Sequence, residues 1–511
     1  MLMALDFKCN SAILPLLQLN NYYNLTMIKS RILSSLFFSL FFLSQSHAFF
    51  GYEIKFKIDG FDQKEIYLGY YFGDKQYLKD TTQVNDEGYF VFKGDDKLAP
   101  GVYLAVLPPD NKFIQFFVHP EKQHFTMESK MEDLAGKMKV TNSEDNALFY
   151  EYMNFLGKQR PIAEKLKAEL DAAGENEAKK AKSEEKIKAV DESVKAYQMN
   201  LINTNPKTMA AAIVKANMPL DYPDFGEGED AQVKAWRWTQ QHYFDHINLA
   251  DPRMVRTPFL FQRVDHFISK LTVQHPDTIN AAIDKVLTAM EPAEDTYRFY
   301  LVHFLNTYAK SKVVGFDAVY VHLALNYYKA GKAPWTEAEQ LKKIKENGEK
   351  LEPLLIGKIA PNIEMQTQIG DKIQLHNFKS PYTVLFFWDP DCGHCKKVTP
   401  HVLEFSKKYK EKGVEVFAIC TALVKRNEEG KWDMEDVDSC WEYIKENETG
   451  VWFHTVDPFH RSRFKSVYDI RSTPQIYILD EKKEILSKKI GAEQIGEVMD
   501  HILENAGKTK S

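Results

Sequence analysis

Cys392 and Cys395 are separated by Gly393-His394, and no other spacing in this sequence is better suited to chemistry. A thiol reacts as its thiolate, and with a free pKa of about 8.5 only roughly 3% is ionised at neutral pH. A cysteine at a helix N-terminus gains from unpaired backbone N–H groups and from the helix dipole. Cys392 follows an apolar run, Tyr382–Trp388, that reads as a strand, and it stands where an amphipathic helix, Lys396–Lys412, is expected to begin. The two-residue spacer puts Cys395 one turn on, within reach of a disulfide. Cys392 is therefore expected to be the attacking thiol. Cys395 is the more buried resolving thiol, which releases a mixed disulfide. His394 is expected to stabilise the thiolate through an imidazolium charge or a hydrogen bond.

A Cys-x-x-Cys also occurs in zinc sites, which need two further ligands. Cys420 and Cys440 are available but do not form a second such pair. The strand-then-helix placement favours redox chemistry, with no metal and no cofactor expected. Cys420 ends the predicted strand Val414–Cys420, and Cys440 lies early in the predicted helix Val437–Asn447, both at the same edge as Cys392. A second disulfide or an auxiliary redox pair is open to them. Two buried hydrophobic thiols is the preferred reading. The fifth cysteine is Cys9; five in all are too few to staple a chain of 511 residues. His242 and His246 stand at i and i+4 without the Glu of a zinc-protease helix, so an ordinary helix surface is expected. A peroxide-reducing site is disfavoured, because the segment before Cys392 lacks the Pro-x-x-x-Thr/Ser-x-x-Cys arrangement.

The elements that must hold the pair lie after Ala360-Pro361-Asn362. Strand Tyr382–Trp388 is followed by helix Lys396–Lys412, closed by Gly413, and by strand Val414–Cys420. Helix Val437–Asn447 precedes strands Gln475–Leu479 and Ile485–Ile490, with a closing helix at Ala492–Asn505. This β-α-β-α-β-β-α order is an α/β layer architecture. Upstream, residues 143 to about 350 read as helical. Ser143 is a candidate N-cap, and the Lys- and Glu-dense stretch Lys158–Lys195 reads as a solvated helix face. Residues 52 to about 140 read as short strands. Ile54, Phe56 and Ile58 alternate with charged neighbours, and turn signals recur every 8–12 residues, as in a small sandwich or barrel.

At about 100–200 residues per domain, the length suggests two to four domains. The composition, 44% hydrophobic and 27% charged, allows sizeable cores. A net charge of −6 with both signs interspersed leaves no basic face for nucleic acid. Lys29 and Arg31 precede an apolar stretch, Ile32–Leu43, and Ser46-His47-Ala48 supplies small residues for cleavage. This reads as a signal peptide, too short to span a bilayer. The chain thus divides into 1–26, an over-extended start with Met27 as the expected true start; 27–48, a signal peptide cleaved after about Ala48; 49–142, β-rich; 143–356, helical; and 357–511, α/β. The mature protein is expected in the periplasm, with no stable membrane insertion.

The segment from Phe387 to Lys397, Phe-Trp-Asp-Pro-Asp-Cys-Gly-His-Cys-Lys-Lys, resembles the active-site segment of thioredoxin-like thiol–disulfide oxidoreductases of the bacterial envelope, of the cytochrome-maturation or redoxin type. Trp388 matches the aromatic residue four before the first cysteine. Pro400 matches the helix-kinking proline, and Thr473-Pro474 matches the cis-proline turn opposite the cysteines. The resemblance covers about residues 357–506. It implies a thioredoxin-like fold there, preceded by a β-sandwich-like and an all-α domain of unknown function. It further implies exchange with protein thiols or disulfides, a membrane redox partner, and substrate contact at Thr473 and Pro474. Three positions depart from thioredoxin. Phe386 replaces a buried acid, so the proton of Cys395 needs another acceptor, with Glu404 a candidate. Asp391 replaces the Trp before the first cysteine, and its carboxylate is expected to oppose thiolate formation. The Gly-His spacer is similar to that of protein disulfide isomerases, which are more oxidising than thioredoxin.

Overall fold

The computed structural model describes residues 51–508. The expected start segment, the signal peptide and Cys9 lie outside them. The described chain forms two compact units, one of residues 51–70 and 76–218, the other of residues 71–75 and 219–508.

In the first unit, β1 (Tyr52–Asp59), β2 (Glu65–Phe72), β3 (Lys75–Gln83), β4 (Phe90–Gly94), β5 (Gly101–Leu107), β6 (Lys112–Val118), β7 (His124–Lys130) and β8 (Lys139–Thr141) make two four-stranded sheets. Their orders are β4-β1-β7-β8 and β3-β2-β5-β6. The alternation read in β1 buries Ile54, Phe56 and Ile58. Phe56 meets Phe116 of the other sheet with ring centroids 5.2 Å apart, so the two sheets share one core. Three helices follow: α1 (Glu144–Asp171), α2 (Glu177–Thr204) and α3 (Met209–Ala216). The unit runs past residue 142 because Asn146 in the first turn of α1 is buried against β6. Its side chain accepts from Phe117 N–H at 2.7 Å and donates to Phe117 O at 2.9 Å. Ser143 is the N-cap residue, but its hydroxyl serves Asn146 Nδ2 at 2.8 Å instead of capping a backbone N–H. Most side chains of Lys158–Lys195 are exposed or half-buried, and α2 stops at Asn205-Pro206 as read.

The second unit opens with α4 (Glu229–His242), α5 (Leu260–His266), α6 (Pro276–Met290), α7 (Glu294–Ala309), α8 (Asp317–Leu323) and α9 (Ala338–Leu351). Helix α4 ends at His242, so His246 lies beyond it and the two do not share a helix face; His242 Nδ1 pairs with Asp245 at 2.7 Å. No helix among the described residues is long and apolar enough to cross a membrane.

The α/β part comprises β9 (Glu364–Gln366), β10 (Lys372–Gln374), β11 (Tyr382–Trp388), α10 (Gly393–Tyr409), β12 (Val414–Cys420), β13 (Lys425–Arg426), β14 (Trp432–Asp433), α11 (Glu435–Glu446), β15 (Phe453–Val456), α12 (Phe464–Val467), β16 (Gln475–Asp480), β17 (Ile485–Lys488) and α13 (Ile495–Lys508). Its sheet has seven strands in the order β10-β9-β15-β12-β11-β16-β17. Strand β12 runs parallel to β11 and β15, while β16 runs antiparallel to β11. Strands β9, β10, β13, β14 and β15 and the short helix α12 are additions to the order read from sequence. Gly413 turns the chain from α10 into β12 at φ 81°, and a Cβ there would approach Pro381 to 2.7 Å, so both the conformation and the space require glycine.

Helices of this unit are fastened to the far edge of the sheet by buried charge. Lys488 on β17 is 3% exposed; its ammonium pairs with Asp317 at the start of α8 and donates to Leu354 O. Asp469, also 3% exposed, receives Lys350 of α9 at 2.8 Å and Arg471 at 2.9 Å. Removing one member of such a pair strands a buried charge. Lys488→Met is expected to cost about 2–3 kcal/mol in urea unfolding, and Asp317→Leu added to it should recover part of that loss.

His454 on β15 packs between Trp388 and Trp452, and its Nε2–H donates to Thr449 O at 2.7 Å. Burial lowers its pKa to about 4, against the smaller opposing effect of that hydrogen bond. The folded value lies below the unfolded value of about 6.5. Its neutral form therefore supports the fold fully above pH 6.5, and this support is lost as pH falls toward 4. Unfolding followed from pH 7 to pH 4 should show a loss of about 2–3 kcal/mol that His454→Phe abolishes.

Candidate active site

Strand β11 is buried on both faces, as befits a central strand. Val384, Phe386 and Trp388 face a layer with Cys395, Val398 and Val402 of α10. Leu385 and Phe387 face the opposite layer with Phe417, Tyr468 and Tyr477. Past Trp388 the chain turns sharply. Cys392 N–H donates to Asp389 O at 3.2 Å, Asp391 N–H donates to Asp389 Oδ1 at 3.0 Å, and the Thr421 hydroxyl donates to Asp389 Oδ2 at 3.1 Å. This is the self-bonded turn that an Asp before Pro favours. It delivers Cys392 to the N-cap of α10, with φ −77° and ψ 108°. The helix starts at Gly393, one turn before the expected Lys396, because Cys392 Sγ accepts the Cys395 N–H at 3.1 Å, as a Ser or Asp oxygen does at other N-caps.

Thr473 closes the other side. The Cys392 thiol donates to Thr473 O at 3.3 Å, and the Thr473–Pro474 bond is cis. The two thiols are pushed in opposite directions. For Cys392, partial burial opposes ionisation but is outweighed by hydrogen bonds from the Cys395 thiol, the Thr473 side chain, and the amides of Cys395 and His394; its pKa falls below the ordinary thiol value. Cys395 is fully buried, and burial, followed by its hydrogen bond to Cys392, raises its pKa to about 12.

Each residue singled out in the sequence can be placed. Trp388 is buried and packs on Tyr443 at 5.2 Å. Gly393 is exposed, and a Cβ there would meet nothing within 4 Å, so it leaves the approach to Cys392 open. The His394 side chain is exposed, and what reaches the Cys392 thiol is its backbone amide. Asp391 is exposed, and the net direction at Cys392 is downward, against the upward push expected from its carboxylate. Glu404 is exposed on α10, nine residues and thus roughly 14 Å along the axis from Cys395, so it is not the proton acceptor. Cys420 and Cys440 are joined by a disulfide with Cα atoms 6.4 Å apart, where two free buried thiols were the preferred expectation. The register that pairs Cys420 with Trp388 sets it at the β12 end, and the first turns of α11 bring Cys440 over it. Two contributors were missed from sequence: Asp389, whose amide reaches Cys395, and Thr421, which also donates its N–H to Trp388 O at 2.8 Å. Asp389-Pro390 after a strand was the available signal. The described residues hold no group of three or more His, Cys, Asp or Glu arranged for a metal.

The opposed shifts give a direct test. Iodoacetamide added to the reduced protein at pH 7 should label Cys392 alone, read by peptide mass spectrometry. The labelling rate should have its midpoint below that of a free cysteine peptide labelled alongside, and Cys395 should react only after unfolding.

Residues 356–487 match the family model described as AhpC/TSA family. Residues 52–149 and 176–352 match two models described as domains of unknown function, DUF4369 and DUF5106. Among curated proteins, the thiol–disulfide oxidoreductase ResA of Bacillus thuringiensis is 44% identical over 70 residues, 14% of this chain and 40% of that protein. The chain thus spans less than half the length of that relative. Among solved structures, a domain of a "possible thiol-disulfide isomerase" from Cytophaga hutchinsonii is 33% identical, covering 30% of this chain and 98% of that one, with a TM-score of 0.26. A thioredoxin-like protein from Bacteroides caccae is 19% identical, covering 56% of this chain and 98% of that one, with a TM-score of 0.41. With Cys392 at the helix N-cap, the seven-stranded sheet behind it and the match over residues 356–487, the C-terminal part of this chain is a thioredoxin-like domain similar to the AhpC/TSA family, preceded by a β-rich and a helical region that match domains of unknown function.

Proposed function

We propose that this protein is an exported thiol–disulfide oxidoreductase that exchanges disulfides with protein thiols through Cys392 and Cys395. The observation that carries the reading is the position of Cys392 Sγ. It caps α10, is half-exposed, has a lowered pKa, and faces the Thr473 carbonyl beside cis-Pro474, with the buried Cys395 one turn behind. In the reducing direction the Cys392 thiolate attacks one sulfur of a substrate disulfide. A mixed disulfide forms, and the other substrate sulfur leaves as a thiolate and takes a proton. Cys395 then attacks Cys392 Sγ. The second substrate thiolate leaves, the Cys395 proton ends on it, and two electrons have passed from the pair to the substrate. The reverse sequence oxidises a dithiol; the difference in reduction potential decides which one runs.

Export rests on the basic residues Lys29 and Arg31, the apolar stretch Ile32–Leu43 and the small residues at Ser46 and Ala48. The reading places the exchange in the periplasm, with a membrane protein renewing the redox state of the pair. The upstream β-rich and helical regions serve partner recognition in this scheme.

Cys395→Ala should trap the first half of the reaction. Expressed in a bacterial envelope and acid-quenched, it is expected to yield adducts with exported proteins that dithiothreitol releases. These should vanish in Cys392→Ser/Cys395→Ala. Turnover of a simple disulfide by Cys392→Ser should drop to that of an unassisted thiol. Absence of any adduct on Cys392 would sink the reading.

A further inference from the structure

Beyond β12 the chain makes an excursion before α11 begins. Residues 421–434 carry the hairpin of β13 and β14, in which Lys425 pairs with Asp433 and Arg426 with Trp432. The Cys420–Cys440 disulfide closes the base of this segment. The excursion shows apolar side chains to solvent: Trp432 is 53% exposed and Met434 is 37% exposed. Phe459, from the loop after β15 and 41% exposed, meets Trp432 edge to face at 5.3 Å. Two guanidinium groups lie on these rings, Arg426 at 4.4 Å over Trp432 and Arg461 at 5.2 Å over Phe459. Arg463 is exposed two residues further on. Among the described residues, none of these three arginines has a carboxylate partner. Of the carboxylates nearby, Glu429 pairs with Lys431 at 3.0 Å, Asp436 pairs with Lys425, and Asp433 accepts the Glu435 N–H at 2.9 Å, while Glu428 at the hairpin turn and Glu435 and Asp438 of α11 are exposed.

The patch stands on the same sheet edge as the thiol. Strands β11, β12 and β15 are parallel neighbours that end at Trp388, Cys420 and Val456. Cys392 follows the first end, the hairpin follows the second, and Phe459 follows the third. The C-terminal edge of such strands is where open α/β sheets bind ligands. Hydrogen bonds tie the three ends together: Thr421 to Trp388 and Asp389, and Val424 N–H to Pro458 O at 3.0 Å.

We propose that the Trp432, Phe459, Arg426 and Arg461 surface is the docking site for the polypeptide substrate. The segment it takes is extended and carries a large apolar side chain and a carboxylate close to the cysteine that Cys392 attacks. This proposal rests on the redox reading above and names its substrate class. Exposed Trp and Arg are the residue types that dominate binding energy at protein interfaces. A guanidinium without an acidic partner accepts a carboxylate in a forked pair, and its neighbouring ring supplies the apolar contact.

The test uses the full chain, reduced, with three disulfides. One is a cystine peptide with Phe and Glu beside the cysteine. The second has Lys in place of Glu, and the third is hydroxyethyl disulfide. The Glu peptide should exceed the Lys peptide in kcat/KM by about tenfold, and salt should shrink that ratio. In Arg461→Glu the ratio should fall to one or invert. In Trp432→Ser the kcat/KM of both peptides should fall relative to hydroxyethyl disulfide. Both side chains are on the surface, so neither change removes core packing. Equal kcat/KM for the two peptides, or ratios unmoved by both substitutions, overturns the docking surface while leaving the redox reading standing. Failure to turn over hydroxyethyl disulfide at all overturns the redox reading itself.

Discussion

The candidate site is built around one hydrogen bond, from the Cys395 N–H to Cys392 Sγ at 3.1 Å, and the rest of the C-terminal part serves to place it. A cap of this kind is worth about 1 kcal/mol, too little to hold a loop against thermal motion by itself. The placement comes from the strand behind it. Six of the seven residues of β11 are buried, and the strand is paired along its length with β12 on one side and β16 on the other. Its C-terminal end therefore has a fixed height above the sheet. Asp389 then fixes the turn by accepting from Asp391 and Thr421 with its two carboxylate oxygens. The core positions the sulfur, and the cap and turn tune it.

The same arrangement makes the thiols unequal. Cys392 has solvent on one side and donors on the other, whereas Cys395 is surrounded by apolar side chains. With a pKa of about 12, only on the order of one Cys395 thiol in 10⁵ is ionised at neutral pH. Where thioredoxin has a buried acid, Phe386 packs edge to face on Trp452. The groups that reach the Cys395 thiol are Cys392, Thr473 and the Asp389 amide, and none of them is a carboxylate. In the proposed cycle the departing substrate thiolate is then the natural acceptor for the Cys395 proton. This couples resolution to departure of the product.

What the sequence made legible follows from range. The apolar runs of β11 and β12 have the boundaries read from them, because a strand buried on both faces is written as a continuous apolar stretch. Gly413 and Asn205-Pro206 marked helix ends for local steric reasons. Strand β15 was missed because Phe453-His454-Thr455-Val456 is short and carries a histidine; its place is set by β12, more than thirty residues away. The early start of α10 was missed because cysteine is not counted among capping residues. The balance at Cys392 was not legible from the adjacent Asp391, because that side chain is exposed and the donors that outweigh burial, the Cys395 thiol, Thr473 and two backbone amides, are placed by the fold.

The second cysteine pair shows how burial separates two chemistries that sequence leaves alike. Cys420 and Cys440 are 1% and 0% exposed, and Trp388 pairs with Cys420 along the strand. Thiol–disulfide exchange needs in-line access of a thiolate to a sulfur. That access exists at Cys392 and is absent at Cys420 and Cys440, so in the proposed cycle the inner disulfide is a brace and the outer pair is the one that exchanges. A cross-link over a separation of 20 residues is worth roughly 3 kcal/mol through the unfolded state. Here it restrains residues 421–439, a stretch whose own core contribution is small: Trp432 and Met434 point outward, and Val437 is among its few buried apolar side chains. An excursion that shows its aromatic residues to solvent cannot be held by burying them, and a covalent tie at its base replaces the apolar contacts it lacks.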